Sequence, residues 1–221
     1  MSKVIMKYCK KCLMPNTRPN INFIDDVCAA CINYEKQKNT KWDERWNELE
    51  KICKIYKENN ESEYDCAIAV SGGKDSHFQT YIIKEKLKMN PLLISVGNID
   101  WTETGRKNLE NLSETFGVDI IMKQPNRKLA RKMFRKAFEK LGSPTWYQDY
   151  LMYSFPVKMC MKLGIQFLIY GEDVNYTYGG KYDVETSSAI YQSKNDVVKP
   201  IWEQWFKDET LSVKDLDSIK Q

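Results

Sequence analysis

The stretch YDCAIAVSGGKDS, residues 64–76, decides the fold of this 221-residue chain. Its first seven residues form a short apolar run, which predicts a buried strand. Two glycines follow the strand, and the polar residues after them lead into a helix that we predict over 77–88. A buried strand that enters a helix through a glycine-rich turn is typical of α/β proteins, whose ligands bind beyond the carboxyl ends of the strands.

The alternation of strand and helix continues along the chain. Apolar runs predict further strands at 91–97, 118–122 and 165–170. The predicted helices between them cover 103–116, 127–141 and 146–163, with Pro156 marking a kink or a break in the last one. Buried strands separated by helices imply a doubly wound parallel sheet, so the predicted fold class is α/β and Rossmann-like.

The part of the chain before this pattern divides into two shorter pieces. Residues 1–40 are rich in Cys, Pro and Asn and show no periodicity, whereas 42–56 carry one apolar stripe at helical spacing. The polar linker ENNESE at 58–63 then precedes the first strand. We therefore predict a head at 1–40, a connecting helix and linker at 41–60, and an α/β domain at 61–221.

The turn after the first strand has the parts of a phosphate cradle. It is not a Walker A loop, because Ile68 and Asp75 stand where that motif needs Gly and Ser or Thr. Two glycines let the backbone present successive N–H groups to an anion, and the following helix aims its positive end at the same point. The candidate binding residues are Ser71, Gly72, Gly73, Lys74, Asp75 and Ser76. The alternative is an ordinary tight turn between strand and helix.

Four cysteines in the head have the spacing of a metal site. Cys9-x-x-Cys12 is followed by fifteen residues and then by Cys28-x-x-Cys31. Two such pairs predict a four-thiolate structural Zn²⁺ site, which leaves no open position for chemistry. An iron–sulfur cluster, two disulfides, or four unrelated cysteines are the alternatives.

Composition excludes several classes of protein. Apolar residues make up 42% and charged residues 29%, as in globular domains. No apolar run is long enough for a membrane span, and the start MSKVIMKYCKK has no secretory signal, so we expect a cytoplasmic protein. A net charge of +4 is too mild to indicate nucleic-acid binding. The single histidine, His77, excludes metal sites with two or more His ligands.

The turn and the head together resemble a known family. SGGKDS is similar to the signature of the PP-loop ATP pyrophosphatases, which transfer AMP from ATP to a substrate oxygen before a nucleophile displaces it. YCKKCLMPNTRPNINFIDDVCAACINYE and the helix KWDERWNELEKI resemble the start of the N-acetyl sugar amidotransferases. The resemblance continues through GSPTWYQDY and YGEDVNYTYGG and covers most of residues 8–205.

The resemblance implies a function and a set of cofactors. Members of the family turn an acetamido group of an N-acetylated sugar or nucleotide-sugar into an acetamidino group, in lipopolysaccharide, pseudaminic-acid and related surface-sugar pathways. The cofactors implied are ATP, Mg²⁺ and structural Zn²⁺. Because a cysteine glutaminase needs a Cys–His pair and only His77 is present, ammonia is expected from a partner, a glutaminase paired with a barrel subunit.

Several site residues are expected from this picture. The resemblance implies that Val96 and Gly97 bind adenine and that Lys199, in the element Lys-Pro-Ile, approaches the α-phosphate; a surface lysine before a turn is the alternative. Gly171 lies after the fourth strand, where Glu172 or Asp173 is expected to hold Mg²⁺ or accept a proton from ammonia, unless this is a solvated acidic turn. Together with Lys74 and Asp75, these two carboxylates form the predicted catalytic set.

Other features leave alternatives open. Four aromatic residues have the position either to stack on a sugar or to fill the core: Trp146, Tyr147, Tyr176 and Tyr178. The basic helix at 127–141 is either a solvated face or a docking patch for an acidic partner or an anionic nucleotide-sugar. Family members continue beyond the position where this chain ends, at Gln221, so we expect part of the family's substrate contacts to be missing.

Two other functions compete with this interpretation. A tRNA thiolase also combines CxxC zinc sites with an SGGKDS turn, but it needs further reactive cysteines, and Cys160 is the only candidate after the turn. The second rival is a zinc-stabilised scaffold that binds ATP without turnover. Pyrophosphate release in the presence of acetamido sugars and ammonia separates the enzyme from the scaffold.

Overall fold

The computed structural model describes residues 5–17 and 21–171. Within these residues the chain forms two compact units, the first ending at Lys51 and the second running from Ile52 to Gly171. In the part of the chain that is described, no helix has both the length and the apolar character that crossing a lipid bilayer requires.

The first unit contains a small hairpin, one helix and the first part of a second helix, whose last residues belong to the second unit. Strands β1 (Phe23–Ile24) and β2 (Val27–Cys28) pair antiparallel. The two residues between them, Asp25 and Asp26, have φ of 51° and 63°, as a tight two-residue hairpin turn requires. Helix α1 (Ala29–Lys38) follows directly, and α2 (Trp42–Glu58) covers the predicted helix and extends it. Helix α1 was not predicted, because none of its residues is fully buried and no apolar stripe marks it.

The second unit is organised around a parallel sheet of four strands, which confirms the predicted fold class. The strands are β3 (Cys66–Val70), β4 (Pro91–Val96), β5 (Ile120–Lys123) and β6 (Leu168–Ile169), and their order is β5-β4-β3-β6. The chain adds β4 and β5 on one side of β3 and then returns to place β6 on the other side. The strand order therefore reverses at β3, and the predicted turn leaves the carboxyl end of that strand.

Helices α3 to α6 have clear boundaries. Helix α3 (Lys74–Tyr81) continues into a π-helical turn at Ile82–Lys86 and begins three residues before the predicted start at 77. The other three match the predicted ranges: α4 (Glu103–Phe116), α5 (Arg127–Leu141) and α6 (Trp146–Leu163). Helix α6 runs through Pro156 as one helix, so the predicted option of a break into two is wrong.

Two groups of helices pack on the four-stranded sheet. Helix α3 packs against β3 and α4, while α5 packs against α6, which in turn packs on β3 and β4. All six residues of β4 are buried, as expected of a strand that is covered on both faces. Val96, the last residue of β4, packs with Met133 of α5 and Trp146 of α6, so this part of the core lies at the carboxyl end of the sheet.

Candidate functional site

The side chain and backbone of Ser76 stabilise the turn between β3 and α3 through hydrogen bonds. The backbone N–H of Ser71 donates to Ser76 Oγ at 2.9 Å, and the two hydroxyl oxygens are 3.4 Å apart. The carbonyl of Ser76 accepts a hydrogen bond of 2.8 Å from Thr80 Oγ1, and both Ser76 and Thr80 are buried. A short polar side chain at position 76 thus ties the start of the turn to the interior of α3.

The two glycines of the turn serve different purposes. Gly72 is buried and has φ of +81°, and a Cβ atom there would lie 3.0 Å from the backbone nitrogen of Leu109. Gly73 has an ordinary φ of −75° and is exposed. A Cβ atom on Gly73 would meet only Ser71 Oγ, at 3.5 Å. A side chain at position 72 would therefore be strained and would crowd Leu109, whereas Gly73 leaves open space before the first turn of α3.

The start of α3 can receive an anion. Gly73 is the cap residue and has no side chain to accept from the amides of the first turn, so these N–H groups point out of the helix end. Lys74 Nζ lies 2.7 Å from Asp75 Oδ1, and these two side chains are 89% and 67% exposed. An ion pair this exposed contributes little to stability, so Lys74 can exchange Asp75 for a phosphate group. The turn and the helix dipole together provide the groups that an anion would contact at the start of α3.

His77 lies on the first turn of α3 and faces its own backbone. Its Nδ1 atom is 3.1 Å from the carbonyl oxygen of Gly73, which also accepts from the His77 N–H at 3.2 Å. The ring is thus held beside the cap of the helix.

Gly97, the predicted adenine contact, is enclosed by two glutamines that the sequence reasoning missed. Its N–H donates to the carbonyl of Lys123 at 2.9 Å, and its carbonyl accepts from Nε2 of the buried Gln148 at 3.4 Å. A Cβ atom on Gly97 would lie 2.5 Å from Gln124 Oε1. Gln124 directly follows β5, as Gly97 directly follows β4. Because ligands of parallel sheets bind beyond the carboxyl ends of the strands, this position could have identified Gln124 from the sequence. No sequence signal identifies Gln148.

Gly171, the last described residue, lies against α3. A Cβ atom there would come within 1.5 Å of Nε2 of Gln79, which stands one helical turn after Ser76. The end of β6 and the helix that carries the turn are therefore brought together at the point where the strand order reverses. The remaining predicted site residues lie outside the described part of the chain: Glu172, Asp173, Tyr176, Tyr178 and Lys199.

Trp146 and Tyr147 belong to the core. They are 4% and 2% exposed and pack with Val96 and Met133. Of the two roles that the sequence left open for these aromatic residues, the structure supports packing. Their place at the start of α6 anchors the neighbouring Gln148 beside Gly97.

The four cysteines of the head come together as the spacing predicted. The sulfur atoms of Cys9, Cys12, Cys28 and Cys31 all lie within 4.8 Å of one another. Cys9 Sγ is 3.9 Å from Cys31 Sγ, and Cys12 Sγ is 3.5 Å from Cys28 Sγ. Four sulfur atoms bound tetrahedrally at Zn–S distances of about 2.3 Å would be separated by about 3.8 Å, so the donor set fits Zn²⁺.

Backbone amides around Cys9 favour its thiolate form. Burial opposes ionisation, but N–H groups of Cys28, Cys12 and Lys11 donate to the sulfur and bring the pKa of Cys9 down to about 6. The amides of Cys28 and Lys11 lie 3.3 Å and 3.4 Å from Cys9 Sγ. Burial, together with hydrogen bonds to the thiols of Cys12, Cys28 and Cys9, raises the pKa of Cys31 to about 12. A bound cation would reverse that effect.

Asp149, next to Gln148 in the first turn of α6, should make the free energy of unfolding depend on pH. Burial raises the pKa of this carboxyl, although Thr145 Oγ1 donates to it at 2.9 Å. The folded state therefore holds its proton to higher pH than the unfolded state, and stability is lost as pH rises from about 4 through the raised folded pKa. We expect Asp149→Asn to be more stable than the wild type at pH 7, and the difference to vanish near pH 4.

Urea unfolding at several pH values measures this difference. Glu110→Gln, which neutralises an exposed carboxylate on α4, is the matched control and should show no such trend. A variant advantage that grows on acidification would contradict the prediction.

Comparisons with known proteins give partial similarities. No protein-family model matches the chain. An uncharacterised protein of Methanocaldococcus jannaschii is 27% identical over 157 residues, which are 68% of this chain and 52% of that protein. The chain thus spans about half the length of this relative.

Two solved structures are similar to parts of the chain. One is an NH₃-dependent NAD synthetase from Campylobacter jejuni in complex with a nitrate ion, with 17% identity and a TM-score of 0.46, covering 79% of this chain and 92% of that one. The other is a predicted subunit of a tRNA methyltransferase from Methanocaldococcus jannaschii, with 19% identity and a TM-score of 0.35, covering 70% and 61%.

Proposed function

We propose that the protein is an ATP-dependent amidotransferase that forms an amidine on an N-acetylated sugar, in surface-polysaccharide or nonulosonic-acid biosynthesis. The observation that carries the proposal is the turn at Ser71–Ser76, which lies where the strand order reverses and leaves the end of α3 open to an anion. The parallel α/β fold with this turn fits an enzyme that uses ATP. The sugar substrate comes from the resemblance of the head and of the segments around 142–150 and 170–180.

The reaction proceeds in two balanced steps. The acetamido oxygen attacks the α-phosphorus of ATP, the bond to the β-phosphate oxygen breaks, and pyrophosphate leaves. The amide nitrogen loses its proton, which gives an O-adenylated imidate. Ammonia then adds to the imidate carbon and AMP departs with the former amide oxygen, so that ATP, ammonia and the acetamido sugar become AMP, pyrophosphate and the acetamidino sugar.

The residues of the turn supply positioning and charge rather than covalent chemistry. Backbone N–H groups at the start of α3 and the Lys74 ammonium bind the departing pyrophosphate. The Ser76 hydroxyl keeps the turn open by accepting from Ser71 N–H. Asp75 would hold Mg²⁺, which offsets the charge of the phosphates when bound. The four thiolates of the head would hold Zn²⁺ in a structural role, because such a site has no open position.

Ammonia must come from outside the described residues. A glutaminase of the cysteine type needs a thiol beside a histidine, and the His77 ring faces the cap of α3. The thiols of Cys53, Cys66 and Cys160 are buried, and burial raises the pKa of each. A partner glutaminase is therefore the proposed source.

Product analysis tests the proposal directly. Purified protein is mixed with ATP, Mg²⁺, an ammonium salt and a panel of N-acetylated nucleotide-sugars, and pyrophosphate and AMP are measured. Conversion of acetamido to acetamidino lowers the sugar mass by about one unit, because NH replaces O. Samples without ammonia or without sugar are the controls. ATP binding with no AMP or pyrophosphate from any sugar would support the scaffold alternative instead.

Cys160 provides a prediction that distinguishes the proposed function from the thiolase alternative. Its thiol is 5% exposed, packs with Ala67 and Ile165 in the core, and has a pKa that burial raises to about 11. A thiolase would need this sulfur as a reactive nucleophile. We expect Cys160→Ala to keep pyrophosphate release within about twofold of the wild type, apart from a modest loss of stability.

Melting curves measured with the same preparation separate the two effects of Cys160→Ala. Complete loss of turnover in a variant that still melts cooperatively would favour the thiolase.

A further inference from the structure

Positive charge is concentrated in one segment of the chain. Residues 123–163, from the end of β5 through α6, contain ten Lys and Arg residues and two acidic residues, so this segment carries +8. The whole chain carries only +4, and the rest of it therefore carries −4. The small net charge of the whole chain therefore results from a strongly basic segment in the second unit and an excess of acidic residues elsewhere.

Helix α5 presents most of this charge to solvent. Its inner side, Leu129, Ala130, Met133 and Ala137, is buried in the core. The outer side carries a row of cations, which we call the basic face: Arg127, Lys128, Arg131, Lys132, Arg135 and Lys136. Glu139, one turn after Arg135 and Lys136, is the one acidic residue of the helix. With seven cations and one carboxylate, α5 carries a net charge of +6.

Exposed apolar residues stand at the end of the same helix. Phe138 is 63% exposed and Leu141 is 46% exposed. Phe138 follows Arg131 by two turns and Arg135 by three residues, so its ring continues the outer side of α5. Arginine beside exposed aromatic and aliphatic groups is the composition of protein interfaces, where the central contacts are apolar and charges set orientation.

The basic face lies close to the candidate site. The buried side of α5 packs on Val96 and Trp146, at the carboxyl end of the sheet. Asn126, which caps α5 through the amides of Lys128 and Leu129, comes two residues after Gln124. A partner seated on α5 would therefore stand beside the edge at which the turn opens.

We propose that the basic face is the docking surface for a protein partner with an acidic patch, namely the enzyme that supplies ammonia; this identity of the partner rests on the proposed function. The charge of the rest of the second unit argues against a nucleic acid. Outside the segment, residues 52–122 and 164–171 contain eight basic and eleven acidic residues, a net charge of −3. Charges act over roughly 8 Å at physiological salt, so a long polyanion that ran beyond α5 over this unit would meet net negative charge. A compact acidic patch matches a helix about 22 Å long.

Binding of two probes of equal negative charge tests the surface. One probe is a fluorescent acidic peptide of about 20 residues with leucines on one side of its helix, and the other is a single-stranded RNA. We expect the full-length protein to bind the peptide at about 0.15 M NaCl, and Arg131→Glu/Arg135→Glu to weaken that binding by about tenfold or more. Phe138→Ala should also weaken it, because the peptide leucines lose their apolar contact.

A charge-matched control is available on α2. Lys51→Glu/Lys54→Glu changes the net charge by the same amount on another exposed helix and should alter peptide binding by less than about twofold. Equal losses of peptide binding in both double variants, or RNA bound in preference to the peptide, would overturn the proposal.

Pyrophosphate release with free ammonia should be unchanged in Arg131→Glu/Arg135→Glu. If the wild type released no pyrophosphate, the proposed function would be contradicted. The docking surface would not be, because peptide binding is measured separately.

Discussion

Gly72→Ala is expected to lower pyrophosphate release from ATP by about 100-fold or more, because the turn can no longer hold the phosphates in place. Position 72 has φ of +81°, and the new Cβ atom would press on the backbone of Leu109 at 3.0 Å. The turn must shift, and with it the N–H groups at the start of α3. The free energy of unfolding should fall by about 1–3 kcal/mol as well.

Gly73→Ala is the matched control for this effect. Its φ of −75° suits alanine, and the nearest atom to the new methyl group is Ser71 Oγ at 3.5 Å. We expect stability close to that of the wild type, measured by urea unfolding, and a smaller loss of ATP cleavage than in Gly72→Ala. If Gly72→Ala retained both full stability and full activity, the turn would not be the phosphate site.

Removal of one head thiol should have the second large effect, on metal content and on the folding of the first unit. In Cys12→Ser, the tetrahedral set of four sulfurs loses one ligand, and bound zinc should fall from about one ion per chain to near zero after mild chelation. Among the residues of this unit that the structure describes, only Cys9 and Cys28 are both apolar and buried, so we expect metal binding to supply much of its folding free energy. Proteolysis within residues 5–40 should accelerate strongly.

Cys53→Ala provides the comparison for the head. Cys53 is also buried, but it lies on α2 outside the cluster of four sulfurs. This variant should keep its zinc and its resistance to protease, as measured by metal analysis and limited digestion. If Cys12→Ser retained its zinc after chelation, the assignment of Cys12 as one of the four zinc ligands would be contradicted.

Helix ends were predictable where side chains or glycines mark them. Thr102 accepts from the Gly105 amide at the start of α4, and Gly117 ends that helix in the left-handed conformation. Helix α5 has the same kinds of boundary in Asn126 and Gly142. The start of α3 was harder to locate, because Gly73 caps the helix without a side chain and polar residues fill its first turn. Local signals fix such boundaries when a capping side chain or a left-handed glycine takes part in them.

The site was predictable only where the sequence is contiguous. Ser71–Ser76 form one turn, so their residue types and their place after a strand were sufficient to predict a turn between strand and helix, whereas its role in binding phosphate stays a prediction. Gln124 and Gln148 reach Gly97 from two other elements, and that contact depends on the register between β4 and β5 and on the packing of α6. No spacing along the chain encodes such a meeting of distant residues. The cysteine pairs are the exception, because their mutual spacing reflects the geometry of a metal ion.

The π-helical turn at Ile82–Lys86 holds one residue more than a regular helix would over the same rise. The extra residue is contained in the wide turn, so the helix before it keeps its rotation relative to Met89. Deletion of a single residue within 82–86 would therefore convert the turn to regular α-helix and leave Ser76 and Thr80 facing the interior. The same deletion within 77–79 would rotate Ser76 by about 100° relative to Thr80. It would break the hydrogen bond between these two residues and detach the turn at 71–76 from the interior of α3.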